Sequence, residues 1–343
     1  MKKSKDSKAD KITVFYFQRR PRPAFSFSLE YIFDDIRDRL KNKINPKIEI
    51  SKFFNDGYLT KIYNIVEAGF RQGKGVNHIT GEMHFLDLLM RRKRTVLTVL
   101  DCGMVDVKSG IGKYIIKLLY LTWPIKKARF VTAISEITKQ AIIKYTNCPP
   151  EKITIIPVAV NPMYQPYPKV FNDKKPTILH IGSAPNKNLL RLIEALDGID
   201  CHLAIVGKLD ETKIKKLQQH NIEYSNAVGI SQEELLQKYI DCDILAFVST
   251  SEGFGMPIVE ANCIERVVLT SNISSMPEVA NDAACLIDPY SVHDIKNGIL
   301  KLVSDEAYRN QLIENGKVNK LRFDGQKIAE SYYQLYKQID SEN

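Results

Sequence analysis

The chain has 343 residues, of which 44% are hydrophobic and 26% charged, and its formal net charge is +9. At roughly 100–200 residues per domain this length predicts two domains, and the hydrophobic content excludes a disordered chain. No apolar run approaches the ~20 residues of a membrane-spanning helix and the start, MKKSKDSKADK, has no apolar core, so we expect neither a transmembrane helix nor a secretory signal.

Charge is distributed unevenly along the chain. Residues 1–160 carry 30 Lys and Arg against 15 Asp and Glu, whereas residues 161–343 carry 19 against 25. A basic first half is typical of a module that meets phosphates, an anionic membrane surface or nucleic acid, although a solvated surface without a partner is the alternative. We expect no nucleic acid, because the sequence has no zinc-finger spacing, aromatic–basic RNA motif or leucine zipper.

Six scattered cysteines without a C-x-x-C pair favour a reducing cytoplasm and no metal site.

The first half predicts alternating strands and helices. A basic tail at 1–10 precedes a buried strand at 11–17, and a Pro-rich loop then leads to a helix with Ser28 as its N-cap. The remaining elements predicted here are strands at 47–54, 76–81, 95–101 and 128–135 and helical stretches at 83–92 and 113–123. This alternation is typical of a parallel sheet with helical crossovers.

The amino-acid composition changes at 157–176, where five prolines occur and the hydrophobic residues show no periodicity. We therefore place a linker at 161–176. A second α/β series follows, with strands at 177–183, 202–207, 243–249 and 267–271 and helices at 188–196, 211–220, 231–239, 256–264 and from 291 onward. The chain is therefore predicted to be an α/β protein of two domains, at 11–160 and 177–320. Ligands are expected in a cleft lined by the carboxyl ends of the strands.

The most informative segment is STSEGFGMPIVEANC at 249–263. It follows an apolar strand, so Gly253 and Gly255 permit a tight turn and the free N–H groups of the next helix favour an anion. Glu252 and Glu260 stand eight positions apart. Two carboxylate acceptors beside an anion-binding helix start suit a ligand with both phosphates and hydroxyls, such as a nucleotide sugar. An ordinary connection with two surface glutamates is the alternative.

A second phosphate-type segment is HIGSAPNKNLLRLIEAL at 180–196. Lys187 near the helix start would neutralise a diphosphate, with Gly182 and Ser183 donating from the backbone. Taken alone, a solvated lysine accounts for the pattern as well. Placement of both segments on neighbouring strands of one domain would favour the phosphate interpretation.

The block TSEGFGMPIVEA, followed by TSNISSMPEVANDAACLIDP at 270–289, closely resembles the retaining family-4 glycosyltransferases of the GT-B fold. The resemblance is strongest in 178–290 and extends more loosely over most of the chain. It implies two Rossmann-like domains with parallel sheets facing a central cleft, the first for the acceptor and the second for the nucleotide sugar. It also implies a helix at 321–343 that crosses back to the first domain. The implied reaction transfers a sugar with retention, with a nucleotide-sugar co-substrate and without a metal.

Residue roles follow from the same resemblance. Glu252 would hold donor-sugar hydroxyls, Glu260 would bind the ribose, and Lys187 matches the family's diphosphate-binding lysine. The chain departs from the family in three places, one of which is CIERVVLTS at 263–271, where relatives have a Gly-containing turn before Pro-Val. The basic residue usual before that lysine is absent, so leaving-group charge would rest on Lys187 and Arg191. Leu100-Asp101 stands where relatives carry His-Asp, which leaves Asp101 as the candidate there. The expected catalytic residues are Glu252, Lys187 and Asp101, and the expected donor-binding residues are Gly182, Ser183, Lys187, Arg191, Glu252, Gly253, Phe254, Gly255, Met256 and Glu260.

Acceptor-binding candidates lie in the first half. His84 would face the cleft after a strand, or is a histidine hydrogen-bonded in place on a helix face. Arg19, Arg20 and Arg22 would bind a phosphorylated acceptor, or belong to a solvated loop. The helix at 113–127, with the basic clusters at 91–94 and 1–10, would hold the domain against an anionic leaflet. An ordinary buried helix with basic ends is the alternative.

These observations predict a cytoplasmic retaining glycosyltransferase that moves a hexose from a nucleoside-diphosphate sugar to a glycan or lipid-linked acceptor in surface-polysaccharide or glycolipid synthesis. The segment ISSMPEV at 273–279 is reminiscent of mannosyl-transferring relatives and favours GDP-mannose over UDP-sugars. If the basic half faces lipid, the protein is peripheral on the inner face of the cytoplasmic membrane. Two alternatives stay open: a non-catalytic nucleotide-sugar-binding partner of a glycosyltransferase complex, and a basic protein that binds a membrane or nucleic-acid surface.

Overall fold

The computed structural model of the protein describes residues 11–20, 28–55, 57–106, 114 and 117–342. The chain divides into two compact units. Unit 1 comprises residues 1–134, 138–156 and 325–343, and unit 2 comprises 135–137 and 157–324. Across the described residues no helix is both long and apolar enough to cross a membrane.

Unit 1 is built on a six-stranded parallel sheet with the strand order β2-β1-β3-β4-β5-β6. Every residue of β3 and β4 is buried, as expected for central strands covered on both faces. The short β6 was not predicted, and β2 begins before the predicted strand and ends at Ile50. The strands are β1 (Ile12–Gln18), β2 (Ile44–Ile50), β3 (Val76–Thr80), β4 (Thr95–Val99), β5 (Phe130–Ala133) and β6 (Ile153–Ile155).

Two stretches of the first half that were predicted as helical differ in type from an α-helix. The stretch predicted as helical at 83–92 is a 3₁₀ helix at His84–Leu89. Its first four residues are all buried, so it lacks the solvent-facing side of an amphipathic α-helix. Of the stretch predicted at 113–123, the structure describes a π-helix at Lys117–Thr122. The α-helices are α1 (Ser28–Arg39), α2 (Tyr58–Arg71), α3 (Gly103–Asp106), α4 (Trp123–Lys127) and α5 (Glu136–Thr146). Three of these α-helices, α2, α3 and α5, were not predicted.

Unit 2 has a second six-stranded parallel sheet, in the order β12-β11-β10-β7-β8-β9. Its central strands β7 and β10 are neighbours, with Ile178 opposite Ile244. The loops that follow these two strands therefore lie side by side at one edge of the sheet. The strands are β7 (Thr177–Ile181), β8 (His202–Val206), β9 (Glu223–Ala227), β10 (Ile244–Phe247), β11 (Val267–Ser271) and β12 (Cys285–Ile287).

Four helices of unit 2 begin at side-chain N-caps. Side chains of Asp210, Ser231, Ser291 and Asp305 each accept a hydrogen bond from a backbone N–H in the first turn of the helix that follows. Buried leucine, isoleucine and valine side chains from these helices and from the sheet form one hydrophobic core. The helices are α6 (Leu189–Ala195), α7 (Glu211–Gln219), α8 (Gln232–Asp241), α9 (Met256–Ile264), α10 (Met276–Ala280), α11 (Val292–Ser304) and α12 (Glu306–Asn319).

The last helix, α13 (Gly325–Ser341), belongs to unit 1, although it follows unit 2 in the chain. It packs against α1, β1 and β3. The hydroxyl of Tyr336 lies 2.7 Å from Nδ1 of His78 on β3, and Nε2 of the same ring lies 2.7 Å from the Thr98 hydroxyl on β4. Burial lowers the pKa of His78 to about 3, so this ring is neutral and serves as a hydrogen-bonding link inside the core.

Candidate functional site

Two loops of unit 2 meet at the carboxyl ends of β7 and β10. The backbone N–H of Thr250 donates to the carbonyl of Asn186 at 2.8 Å, and the Asn186 amide donates back to the carbonyl of Ser251 at 2.9 Å. These reciprocal hydrogen bonds fix the loop at 182–188 against the loop at 248–255. The adjacency follows from the strand order, because the two loops come from neighbouring strands.

An ion pair joins the two loops. Nζ of Lys187 lies 2.6 Å from Oε1 of Glu252, and the two side chains are 22% and 15% exposed. The Asn186 amide reaches the same carboxylate oxygen at 3.3 Å, and the Lys187 ammonium lies 4.9 Å from the ring centroid of Phe247. Both charged groups are thus held at the sheet edge with part of their surface open to a ligand.

Gly182 leaves space for the side chain of Lys187. Its φ is +96°, and a Cβ on this residue would lie 2.8 Å from Cγ of Lys187. Another residue would therefore be strained in its backbone and would displace the lysine. Ser183 follows in the same loop and approaches Gly207, where an added Cβ would lie 3.1 Å from the serine Oγ. The loop thus depends on glycine at two points of close approach.

Asn188 holds the end of the same loop and also positions Arg191. Its backbone is left-handed, with φ of 64°, a conformation that asparagine tolerates. Its amide donates to the carbonyls of Val248 and Pro289 at 3.1 and 2.7 Å. Its Oδ1 accepts from Nη1 of Arg191 at 2.9 Å. The guanidinium of Arg191 is therefore already engaged by a neighbour beside the loop.

The start of α9 is an anion-binding type of helix terminus. Gly255 is its N-cap with φ of 110°, and a proline lies in the first turn, where no N–H is lost to the helix. Phe254 directs its ring into unit 2, edge-on to Phe323 with 5.5 Å between the ring centroids. The aromatic ring of Phe254 is thus packed inside unit 2 and does not face a ligand at the helix start.

Two serines after β11 support this loop. The Ser274 hydroxyl donates to the carbonyl of Glu252 at 2.9 Å and accepts from its N–H at 3.1 Å. The Ser275 hydroxyl donates to the carbonyl of Phe254 at 2.6 Å. Sequence reasoning did not single out these residues or Asn188. Their roles depend on which strands are neighbours, and only the segment ISSMPEV drew attention to the serines.

Glu260 lies one and a half turns into α9 and is paired with a tyrosine. The buried Tyr239 of α8 donates its hydroxyl to Oε2 of Glu260 at 2.6 Å. Burial raises the pKa of Glu260 to about 7, while the hydrogen bond from Tyr239 opposes part of that rise. The carboxyl group therefore changes its charge near neutral pH. No motif pointed to Tyr239, because it lies on another helix.

Unit 1 brings three predicted residues to the carboxyl edge of its own sheet. Asp101 is exposed just after β4, and its Oδ1 accepts from the N–H of Gly103 at 2.9 Å. Arg19 follows β1 and pairs with Glu82, which follows β3, at 2.8 Å. His84 comes after the same strand but is only 5% exposed. Its Nδ1 donates to the carbonyl of Tyr120 at 2.9 Å, and burial lowers its pKa.

The remaining predicted residues of unit 1 are arginines of the loop after β1. Arg20 is exposed, donates to the carbonyl of Lys52 at 3.0 Å and lies 5.2 Å from the ring centroid of Phe54. Arg22 lies outside the described residues, as does the basic tail at 1–10. Within the described part of the chain, no group of three or more His, Cys, Asp or Glu side chains is placed to hold a metal ion.

Comparison with known proteins shows similarity to glycosyltransferases in the second half of the chain. The family described as "Glycosyl transferases group 1" matches residues 166–319, which include both loops of the site. An uncharacterized glycosyltransferase of Methanocaldococcus jannaschii is 28% identical over 169 residues, covering 47% of this chain and 48% of that protein. O-antigen chain mannosyltransferase B of Escherichia coli is 24% identical over 265 residues, covering 70% and 68%. The chain thus spans about half the length of the first relative.

The fold is that of known glycosyltransferase structures. The crystal structure of Anabaena HepE in complex with UDP and glucose superposes with a TM-score of 0.76 at 15% identity, covering 95% of this chain and 100% of that one. The likeness agrees with two parallel six-stranded α/β units. The protein therefore has the GT-B fold, and its residues 166–319 match the model of the glycosyl transferases group 1 family.

Proposed function

We propose that the protein is a retaining, metal-independent glycosyltransferase that moves a hexose from a nucleoside-diphosphate sugar to a glycan or lipid-linked acceptor. The observation that carries the proposal is the Lys187–Glu252 pair, 2.6 Å apart at the ends of neighbouring strands and next to the start of α9. A cation, a carboxylate and a helix N-terminus in one place suit the two halves of a nucleotide sugar, the diphosphate and the hydroxyl-rich ring.

In this proposal, unit 2 stabilises the leaving group. The bond between the anomeric carbon and the diphosphate oxygen breaks while the acceptor oxygen bonds to that carbon, and the acceptor loses its proton. Negative charge then grows on the departing diphosphate. The Lys187 ammonium and the N–H groups at the start of α9 stabilise that charge, which lowers the barrier. As the lysine turns to the diphosphate, Glu252 becomes available to accept hydrogen bonds from the sugar hydroxyls.

The nucleoside is proposed to lie along α9. One oxygen of Glu260 is held by Tyr239, and we assign the other to the ribose hydroxyls. GDP-mannose is the proposed donor, because a mannosyltransferase of O-antigen chains is among the relatives. UDP-sugars are the competing donors, since a protein of the same fold was crystallised with UDP and glucose. A role in cytoplasmic surface-polysaccharide or glycolipid synthesis follows from the proposed acceptor.

Unit 1 is proposed to bind the acceptor. Arg19 and Asp101 follow β1 and β4, and so lie at the carboxyl edge of its sheet. Arg20 extends this basic edge. A phosphate or diphosphate on the acceptor would be recognised by such arginines.

The test is a titration of GDP, UDP and their sugars followed by calorimetry, with the wild type and the Glu252→Gln variant, then an assay of sugar transfer. We expect one base to bind selectively and the variant to lose affinity for the nucleotide sugar more than for the bare nucleotide. NMR of the product should show the same anomeric configuration as in the donor. Addition of a chelator should leave the rate of sugar transfer unchanged.

Two results would contradict the proposal. Failure of every nucleotide at millimolar concentration would refute the donor site. Tight nucleotide binding without transfer to any acceptor would favour the non-catalytic alternative, for which Leu100 in place of the family's histidine is the motivating feature.

A further inference from the structure

Helix α2 of unit 1 exposes an apolar face to solvent. Six of its 14 residues are large hydrophobic side chains with exposures between 40% and 86%. We call them the α2 face: Tyr58, Leu59, Ile62, Tyr63, Val66 and Phe70. Leu59 and Phe70 are the most open of the aliphatic and aromatic members, at 83% and 86%. A cluster of this size on one helix differs from the scattered exposed hydrophobics of ordinary surfaces.

The members of the α2 face form one continuous stripe. At about 100° per residue, positions 58 to 70 of the set fall within an arc of about 140° on the helix. Asn64 and Ala68, on the other side, are buried against unit 1. The helix thus packs on unit 1 through Ala68 and Ile65 and leaves a second, larger apolar side exposed to solvent.

Neighbouring side chains extend the same surface. Phe53 and Phe54, which precede α2, are 39% and 37% exposed, and the Phe53 ring lies edge-on to Tyr63 with 4.9 Å between centroids. Leu89 adjoins the helix at Gly69, where an added Cβ would lie 3.1 Å from the Cβ of Leu89, and this leucine is also exposed.

Cations surround the apolar stripe. Nζ of Lys52 lies 5.6 and 5.4 Å from the ring centroids of Phe53 and Tyr63, and Nζ of Lys61 lies 5.8 Å from that of Tyr58. Residues 41–75 contain seven Lys and Arg against three Asp and Glu. Two of those three acids, Glu49 and Glu67, pair with Arg71 at 3.3 and 3.0 Å.

We infer that the α2 face docks on an anionic lipid bilayer, with its apolar side chains in the interfacial layer and the lysines at the level of the headgroups. Apolar and aromatic residues flanked by lysines are the composition of helices that lie in a membrane interface. A second copy of the chain fits less well, since a two-fold contact would bring two surfaces of the same net positive charge together. The inference does not depend on the sugar-transfer reaction.

This surface is not the one that the sequence pointed to. In the predicted membrane-facing stretch at 113–127, Leu121, Pro124 and Ile125 are buried in unit 1, whereas Tyr114 and Trp123 are exposed. By contrast α2 follows β2 and so begins at the carboxyl edge of the sheet. If the proposed function holds, a lipid-linked acceptor would be presented on the side where Arg19 and Asp101 lie.

The experiment measures sedimentation of the full chain with vesicles of phosphatidylcholine, with and without phosphatidylglycerol. We expect binding to the anionic vesicles, and we expect the partition coefficient of Leu59→Gln/Phe70→Gln to fall by about tenfold or more. The matched control is Val318→Gln/Leu321→Gln, which changes two exposed apolar residues of unit 2 and should bind as the wild type does. The variant Lys52→Gln/Lys61→Gln should bind less well to vesicles that contain phosphatidylglycerol, and its binding to vesicles of phosphatidylcholine should not change.

Insertion is separated from adsorption by fluorescence. The chain has one tryptophan, so Trp123→Phe with Phe70→Trp places a single probe on the α2 face. Binding to anionic vesicles should shift its emission to the blue, and brominated lipid should quench it. Absence of vesicle binding, or binding unaffected by the Leu59/Phe70 variant, would overturn the inference. Loss of a dimer on sedimentation of that variant without lipid would instead assign the face to a second copy. Equal melting temperatures of all variants exclude misfolding as the cause.

Discussion

Replacing Glu260 by glutamine should change how the stability of unit 2 depends on pH. Burial raises the pKa of this carboxyl to about 7 from the ordinary 4.5. The folded protein therefore holds the proton more tightly than the unfolded chain between these values. Stability from this group is fully present below pH 4.5 and is lost as the pH rises through 7. Glutamine keeps an acceptor for the Tyr239 hydroxyl but does not ionise.

The size of the effect follows from the difference between the two pKa values. A shift from 4.5 to about 7 corresponds to roughly 3 kcal/mol at about 1.4 kcal/mol per pH unit. We expect the free energy of unfolding of the wild type to fall by about this amount relative to Glu260→Gln between pH 4.5 and pH 8. Other groups that titrate in this range, such as Asp87, whose pKa burial also raises to about 7, are present in both proteins and cancel.

The assay is denaturation by urea across this pH range, followed by far-ultraviolet circular dichroism and by tryptophan emission. The single tryptophan, Trp123, lies in unit 1, so its emission reports a unit that the substitution does not touch. Tyr239→Phe supplies a second variant. It removes the hydrogen bond that lowers the pKa of Glu260, so the loss of stability should move to higher pH.

The pH dependence of nucleotide affinity reports the ionisation of Glu260 in a second way. If the ionised carboxylate accepts hydrogen bonds from ribose, the wild-type affinity should fall by up to about tenfold per pH unit below 7, and the Glu260→Gln affinity should be flat. Parallel stability curves for wild type and Glu260→Gln from pH 4.5 to 8 would refute the reasoning, because they would mean that the carboxyl titrates alike in the folded and unfolded chains.

Three further predictions concern the ion pair, its glycine and the last helix. Lys187→Met should weaken nucleotide binding in calorimetry by about 1–3 kcal/mol, whereas Met at the exposed Lys215 should leave it unchanged. Gly182→Ala should displace the lysine and reduce nucleotide affinity; Gly198→Ala, which also has positive φ but no atom within 4 Å of its Cβ, should cost only about 1 kcal/mol of stability with normal affinity. Tyr336→Phe should leave Nδ1 of the buried His78 without its hydrogen-bond partner and lower the stability of unit 1 by about 1–3 kcal/mol in the Trp emission assay.

The sequence was informative where a short pattern and its chemistry coincide. Apolar strands followed by glycine loops predicted β7 and β10, and with them the positions of Lys187 and Glu252. The pairing of these residues could not be derived from either segment, since it depends on β7 and β10 being neighbours in a sheet of order β12-β11-β10-β7-β8-β9. For the same reason, the hydrogen bonds from Ser274 and Ser275 to the loop after β10 and from Tyr239 to Glu260 could not be predicted from the sequence.

Elements without an ordinary apolar pattern escaped prediction. β9 has the sequence EYSNA and β12 has three residues, so neither presents a long apolar run. α2 has apolar residues at helical spacing, but they face solvent, which no rule of burial anticipates. For the stretch at 83–92 the error has the opposite sense, because a regular helix was predicted where the chain forms only a short 3₁₀ helix of mostly buried residues.

The return of α13 to unit 1 has a consequence for how the chain is made. The strands of unit 1 leave the ribosome long before the helix that covers them, because residues 157–324 are synthesised in between. At about 5–20 residues per second this interval lasts roughly 10–30 s. During it, Tyr16, Phe33 and His78, which finally pack against α13, have no cover from that helix. The half that emerges first is thus the last to be completed, and its apolar surface stays open while unit 2 is being made.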